Sequence, residues 1–526
     1  KLIEQHWEDD LLLVRAPTGA GKTDASLLWA SLQIENKRAE RLIIAMPTRF
    51  TSNALAINVA ESLSDTGLYH SSAWFAKFQE QIENGIIKKQ EANKIHEFAR
   101  LLQTPITVCT IDHLLMALTL TREDHHLISF NMANACLAID EADFYDDFTQ
   151  ANILVLLEIL KYWKVPILLM SASLPESVLP SYQKIGYSVD KIIEDTSDNV
   201  RNRFEIKKIE DYSELSEIEE LLELCIETGN AIIYANTVDR AVAFYNWFEK
   251  RDVNPILYHS RFTEPDKKDK EQKLIETLGK DAWNKGTAKG IAIMTQIGEM
   301  SINISSDLMI SELCPIDRLT QRAGRLCRFD KSKIGDLYVL IPQKEGSLYP
   351  APYGTYDRKE KSWIACDAFK KTQEMLDTTC YNAEKLVTML NDIYSTESEF
   401  SAKSITNAKT LKEYFSYNWL ISPKQQSKDD DTDTNYWKSR DISAQDTVFV
   451  SKHETNYFNS YLSYQNWKLS NSIELPVYLI EKGKKNHMLD LISIKIKDER
   501  EMIYVIREGF YNDDKGVIFI EEDIIL

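Results

Sequence analysis

Ala16-Pro17-Thr18-Gly19-Ala20-Gly21-Lys22-Thr23 constrains the fold of this chain more than any other stretch. An apolar run, Leu11–Val14, leads into it, and a helix-forming run, Asp24–Ala30, follows. A strand, a tight loop of small residues and a helix N-terminus, in that order, point successive backbone N–H groups into one concavity. The helix dipole adds partial positive charge there. The chemistry is that of a nucleoside triphosphate site. Thr18, Gly19, Ala20 and Gly21 would line the cradle, Lys22 would reach the β and γ phosphates, and the Thr23 hydroxyl would hold Mg²⁺.

Short apolar runs alternating with helical patterns extend this α/β reading. Strands are expected at Leu11–Val14, Leu42–Ala45, Ile106–Cys109, Cys136–Ile139 and Ile167–Met170, with helices such as Ala54–Ser64 and Gln90–Leu102 between them. Near-continuous apolar strands separated by helices imply a parallel sheet covered on both faces. A second series follows at Ala231–Tyr234, Pro255–Tyr258, Ile291–Met294, Leu308–Ile310 and Leu337–Ile341. Two tandem parallel-sheet units, of which only the first carries a phosphate loop, suggest a cleft between them. The charged segment Asp195–Asp211 reads as a hinge. Gln343–Ser347 with Pro350, Pro352 and Gly354 reads as a linker, and Asp357–Tyr394 as mostly helical. Glu399–Arg440 is largely polar. Within it Asp429–Asn435 superficially suggests a calcium loop, but Tyr436 stands at the glycine position and Ile442 at the final glutamate, so a solvated loop is expected. Val, Ile and Tyr alternate with polar residues from Thr447 onward, which predicts a small mixed or β-rich domain. The expected domains are 1–200, 201–345, 346–440 and 441–526.

With 526 residues the chain is too long for one core. Its 81 acidic against 62 basic residues argue against simple coating of nucleic acid, though not against a local groove that holds one strand. None of the seven cysteines forms a C-x-x-C pair, so buried thiols in a reducing compartment are expected instead of disulfides or a zinc site. Apolar runs such as Ile153–Leu157 are too short to span a membrane, and no signal peptide is visible, so a cytoplasmic location without a membrane partner is expected.

Asp140-Glu141-Ala142-Asp143 follows the fourth expected strand. At that strand end Asp140 would coordinate Mg²⁺ opposite Thr23, and Glu141 would orient and deprotonate the attacking water. Gln321-Arg322-Ala323-Gly324-Arg325-Leu326-Cys327-Arg328 lies in the second α/β series. On a helix, Arg325 and Arg328 would share one face and could meet a polyphosphate across the cleft.

These motifs, with Pro47-Thr48-Arg49 and Ser171-Ala172-Ser173, resemble in order the motif series of a superfamily 2 helicase. The resemblance implies two RecA-like domains, with Lys22, Thr23, Asp140 and Glu141 handling ATP and Mg²⁺. It gives Pro47, Thr48 and Arg49 contact with strand phosphates. Asp143, Ser171 and Ser173 would couple hydrolysis to movement, and Gln321, Arg325 and Arg328 would act from the second domain. The tetrapeptide spells the DEAD-box signature of RNA helicases. Its neighbours differ: Val108–Leu115 with Thr110, Asn236-Thr237-Val238, His259-Ser260-Arg261-Phe262, Thr295–Ser301 and Cys314–Thr320 resemble the helicase part of the CRISPR-associated helicase–nuclease of type I interference. Ser472–Pro476 and Tyr511–Val517 resemble its C-terminal domain. That resemblance implies further nucleic-acid contacts at Thr110, Asn236, Thr237, Ser260, Arg261 and Thr295. It also implies 3′-to-5′ movement on single-stranded DNA and recruitment by an RNA-guided surveillance complex. Asn303 departs from the family, which usually carries aspartate there. None of the nine histidines is followed by Asp, so an HD-type nuclease is expected on another polypeptide or upstream of Lys1. Two other readings stay open: a DEAD-box-like RNA helicase or remodeller, and a nucleotide-gated nucleic-acid-binding scaffold.

Overall fold

The computed structural model describes residues 2–16, 20–47, 66–69, 87–142, 145–196, 198–299, 302–357, 359–396, 399–418, 433–434, 437–441 and 444–519. The expected helix Ala54–Ser64 and most of Asp429–Asn435 lie outside them. The chain divides into two compact units, Lys1–Asn199 with Val387–Asp441, and Val200–Leu386 with Ile442–Leu526.

The first unit is built on a seven-stranded sheet. Its strands are β1 (Leu11–Arg15), β2 (Arg41–Met46), β3 (Thr66–Tyr69), β4 (Ile106–Thr110), β5 (Ala135–Asp140), β6 (Ile167–Ser171) and β7 (Ile193–Glu194). They lie in the order β3-β4-β2-β5-β6-β1-β7, and every neighbouring pair is parallel. Alternate strand residues go to opposite faces. Leu11, Leu13, Ile43, Leu137, Ile139 and Leu169 pack into one core, while Leu12, Val14, Leu42, Ile44, Ala138 and Met170 pack into the other. Both faces are apolar because helices cover both, which is why these strands read as uninterrupted hydrophobic runs. The helices used below are α1 (Lys22–Glu35), α2 (Lys89–Arg100), α3 (Ile111–Ala117) and α4 (Asp147–Tyr162). Late chain returns to this unit. The helix Ala402–Asn418 inserts Leu411 into the first core beside the fully buried Trp437. The Trp437 indole N–H donates to Asn152 Oδ1 of α4 at 3.1 Å.

The second unit carries a sheet of eight strands. The path is β10 (Ile256–Tyr258), β11 (Gly290–Met294), β9 (Asn230–Tyr234), β12 (Leu308–Glu312), β13 (Gly335–Lys344), β8 (Phe204–Tyr212) and an antiparallel edge strand, β14 (Cys380–Tyr381), and the eighth strand, Ser347–Leu348, lies off this path and pairs antiparallel with the end of β13. Its helices include α5 (Val238–Glu249), α6 (Glu264–Leu278) and α7 (Ile316–Ala323). A five-stranded mixed sheet closes the chain, in the order β16 (Tyr457–Phe458), β18 (Leu489–Ile496), β19 (Glu499–Ile506), β15 (Gln445–Phe449) and β17 (Ser472–Pro476). Beyond it lies a hairpin of Tyr511–Asn512 against Gly516–Val517. Two parallel-sheet domains and a C-terminal mixed sheet are therefore the architecture, as the motif spacing predicts.

Several expectations are corrected. Asp195–Asp211 is no hinge throughout, since β8 begins at Phe204 and pairs along β13. Asp357–Tyr394 is not mostly helical at its start: Gly354–Asp357 and Ser362–Ala365 form a hairpin ahead of helices Asp367–Met375 and Ala383–Ile393. The polar stretch after Glu399 contains the helix Ala402–Asn418. All seven cysteines are free thiols, but Cys366 is exposed and Cys380 only half-buried. Among the described residues no helix is long and apolar enough to cross a membrane.

Candidate active site

The carboxyl edge of the first sheet gathers three charged side chains from two elements. β1 ends at Arg15, and α1 starts at Lys22 behind Gly21, whose φ of 81° is the left-handed conformation that glycine tolerates best. Among the described residues no side chain caps α1. Its first N–H groups and its dipole are thus available to an anion. Lys22 Nζ donates to Glu141 Oε1 at 2.5 Å and lies 3.5 Å from Asp140 Oδ1. Asp140 is the last residue of β5, and Glu141 turns sharply off it with φ 52°. A non-glycine residue in that region costs about 1–2 kcal/mol. The turn is fixed by Glu141 N–H donating to Asp140 Oδ1 at 3.0 Å and Ala142 N–H to Met170 O at 3.1 Å. The strain keeps two carboxylates at one strand end, both facing the lysine.

Neighbouring loops are tied to the same edge. Ala16 N–H donates to Ser171 O at 2.9 Å, and Ser173 N–H donates to Ser171 Oγ at 3.0 Å, so Ser171 and Ser173, both buried, join the phosphate loop to the end of β6. Thr23 sits half-buried in the first turn of α1, and Ala20 is exposed. An ammonium, a hydroxyl and two carboxylates around an uncapped helix start form a donor set that fits a magnesium-bound polyphosphate: Lys22 for the phosphates, Thr23 and Asp140 for the metal. Pro47 is buried at the end of β2, and Thr110 is half-buried where β4 meets α3. Thr18, Gly19, Thr48, Arg49 and Asp143 lie outside the described residues.

The equivalent edge of the second sheet is organised around Arg322, a residue absent from the expected site. Its guanidinium is fully buried in α7 and all its donors are engaged. Nε donates to Glu299 Oε1 at 2.8 Å, Nη1 to Ser311 Oγ and Glu312 O at 3.0 Å each, and Nη2 to Asn236 Oδ1 at 3.1 Å and Tyr353 OH at 2.9 Å. Asn236 also donates to Leu313 O at 2.7 Å, and its own N–H reaches Glu312 Oε2 at 2.5 Å. Thr237 caps α5, accepting from Arg240 N at 3.4 Å. Thr295 is buried, its N–H on Tyr258 O at 3.3 Å.

The motif arginines do not share a helix face. α7 ends at Ala323, so Arg325 and Arg328 come from the turn after it. Gly324 stands at the C-cap with φ −61°, its N–H still donating to Thr320 O at 3.0 Å. Arg325 is buried and donates to Gly298 O at 2.8 Å and also to Ile302 O. Arg328 is half-buried, with its N–H on Ser305 Oγ at 2.9 Å. Gln321 is buried, and neither amide atom finds a hydrogen-bond partner among the described residues. Asn303 is exposed. Ser260 is exposed beside the buried Arg261, whose guanidinium reaches Asp239 Oδ1 at 2.6 Å.

Two further arginines escape sequence reasoning. Arg15, the charged end of an apolar strand, is buried, donates to Leu174 O at 2.8 Å and pairs with Glu194. Arg440 meets both carboxylate oxygens of Asp112, at 2.8 and 2.6 Å, and donates to Pro47 O at 2.5 Å. A charge closing an apolar run is a readable signal for Arg15; nothing local marks Arg440.

Residues 1–180 match the family model described as DEAD/DEAH box helicase, and residues 227–331 match that of the CRISPR-associated nuclease/helicase Cas3, C-terminal. A CRISPR-associated nuclease/helicase Cas3 from Methanocaldococcus jannaschii is 31% identical over 356 residues, which span 64% of this chain and 48% of that protein. The chain spans about half the length of the relatives it matches. Among solved structures, ADP-bound Cas3 of T. fusca superposes with a TM-score of 0.69 at 20% identity, over 89% of this chain and 62% of that one. A chain in a CRISPR RNA-guided surveillance complex, pre-nicking, superposes with a TM-score of 0.60 at 18% identity, over 97% of this chain and 68% of that one.

Proposed function

On the premise that the chain belongs to the helicase part of the Cas3 family, we propose that it is an ATP-driven translocase on single-stranded DNA. It moves 3′ to 5′, unwinds duplex and serves type I CRISPR interference after recruitment to an RNA-guided surveillance complex. One observation carries the reading: Lys22, at the start of α1, within 2.5 Å of Glu141 and 3.5 Å of Asp140, at the end of β5. ATP with Mg²⁺ supplies the phosphoanhydride whose hydrolysis drives movement. Lys22 neutralises phosphate charge, Thr23 and Asp140 hold the metal, and Glu141 orients the attacking water and takes its proton. Gln321, Arg325 and Arg328 are assigned to phosphate handling during hydrolysis. Ser171, Ser173 and Asp143 relay the change in that site to the strand-holding loops.

DNA is held by its backbone at Pro47, Thr48, Arg49, Thr110, Asn236, Thr237, Ser260, Arg261 and Thr295, which makes the grip tolerant of sequence. The buried positions of Asn236 and Thr295 favour a part in shaping the surface, and the exposed Ser260 favours direct contact. The surveillance complex is supported by the structural likeness to a chain within such an assembly. Strand cutting is assigned to an HD-type nuclease outside these residues, since no histidine here precedes an aspartate. The deciding experiment measures ATP turnover with long single-stranded DNA and with RNA of equal length. Stimulation by DNA alone, with strand displacement that stops when a non-hydrolysable analogue replaces ATP, is expected. Preferential stimulation by RNA would transfer the chain to the RNA helicases.

A further inference from the structure

The loop His259–Arg261, directly after β10, is gripped from the far end of the chain. His259 is fully buried, and both ring nitrogens are engaged: Nδ1 accepts from Arg261 N–H at 3.1 Å, and Nε2–H donates to Lys515 O at 3.1 Å. Only a neutral imidazole protonated on Nε2 satisfies both partners. Val517 N–H donates to Arg261 O at 3.0 Å. On the next turn of chain Tyr511 OH accepts from Thr263 N–H at 3.2 Å and donates to Asp266. Lys270 Nζ donates to Asp514 O at 3.1 Å, and Lys515 Nζ pairs with Glu249 at 2.8 Å. Gly516 makes the fit possible. Its φ is +67°, and a Cβ there would stand 2.4 Å from Arg261 O and 2.9 Å from His259 Cε1. Within this clamp Ser260 is exposed while the residues on either side are buried and bonded.

We propose that the hairpin Tyr511–Val517 positions the loop His259–Arg261 so that the Ser260 hydroxyl is presented to a phosphate oxygen of the bound strand. This rests on the reading that the loop touches the strand. Gly516, Tyr511 and His259 are thereby positioning residues, acting through Ser260 and the backbone around it. A hydroxyl held by backbone contacts on both sides loses little freedom on binding, which is where the contact gains affinity.

The full chain is assayed for ATP turnover against concentration of an oligodeoxythymidylate strand, in wild type, Ser260→Ala, Gly516→Val, Tyr511→Phe and Gly509→Ala. The last is a control, since Gly509 also has positive φ but open space around its Cβ position. Ser260→Ala is expected to raise the half-saturating strand concentration about tenfold, the cost of one hydrogen bond of about 1.4 kcal/mol. Gly516→Val is expected to raise it at least as much, while maximal turnover and turnover without DNA stay within about twofold. Tyr511→Phe, which keeps the ring and loses the hydroxyl, is expected to shift the same constant by a smaller factor and serves if Gly516→Val fails to fold. The double variant with Ser260→Ala should add nothing further. An unchanged constant in Gly516→Val or, if that variant is unfolded, in Tyr511→Phe, alongside a raised one in Ser260→Ala, overturns the positioning role and leaves the strand contact standing. An unchanged constant in Ser260→Ala removes the strand contact and the proposal with it. A tenfold shift in Gly509→Ala would reduce the effect to general loosening of the C-terminal domain and also overturn it.

Discussion

The two parallel sheets present charge at their carboxyl edges in opposite ways. On the first, Lys22, Asp140 and Glu141 retain between 9% and 17% side-chain exposure, and the lysine lies against both carboxylates. On the second, Arg322, Glu299 and Glu312 are fully buried, and Arg322 has its donors divided among five partners. An accessible ion pair can exchange its partner for a ligand at small cost, whereas a buried network cannot lose one member without stranding the others. The first edge can therefore exchange partners and the second holds shape, although both lie at the carboxyl ends of parallel strands.

Substitution at each edge can break this contrast. The largest effect is expected at the first. Lys22→Ala should abolish ATP hydrolysis, and Glu141→Gln should lower turnover by about 10²–10⁴-fold while nucleotide binding persists. Melting temperature should stay unchanged or rise in Glu141→Gln, and a clear fall in either variant would make this edge structural too. Next, Arg322→Met should destabilise the protein by about 3–5 kcal/mol in denaturant unfolding, because Glu299 would remain buried without its cation. Nucleotide affinity at the first sheet should be retained. A stable Arg322→Met protein with lost turnover would place this arginine in the chemistry instead.

Arg440→Ala tests a committed arginine of the first unit. Losing two bonds to Asp112 and one to Pro47 O should cost about 1.5–3 kcal/mol in unfolding and weaken strand binding several-fold. Unaltered strand affinity would separate Pro47 from the DNA path. The smallest effect is titrational. Burial lowers the pKa of His113 from 6.5 to about 4, while its Nε2–H donates to Arg100 O at 2.7 Å. The unfolded chain binds a proton that the folded one refuses. Stability is complete above pH 6.5 and is lost as pH falls towards 4, by about 1.4 kcal/mol at pH 5.5. His113→Gln should flatten the difference between pH 7 and pH 5.5 by about 1.2 kcal/mol, and an identical acid dependence in the two proteins would show the ring to be charged when folded.

What the sequence made legible follows from where the information sits. The strands from Leu11 and Ala135 are apolar on both faces, and Lys22 and Asp140 follow them at fixed positions, so local pattern sufficed. β8 resembles a hinge in sequence because Glu205, Lys207 and Lys208 interrupt it; near the sheet edge, only Phe204, Ile206 and Tyr212 are buried. The helix Ala402–Asn418 buries just Ser404, Asn407, Ala408 and Leu411, two of them polar, and so carries almost no apolar periodicity. Arg440 acts through a residue 328 positions away. The misplaced pair Arg325 and Arg328 has a local cause: Gly324 ends the helix one residue before the first of them.

The return of late chain to the first unit has a consequence for biosynthesis. α4 emerges from the ribosome about 240 residues before the helix Ala402–Asn418 that covers it, and Trp437 comes later still. At about 5–20 residues per second the nascent first sheet waits roughly 10–50 s with that apolar face open to water. During the wait the whole second sheet is made. Between Tyr162 and Ala402 the growing polypeptide carries an unfinished apolar surface, the kind of transient exposure that favours aggregation.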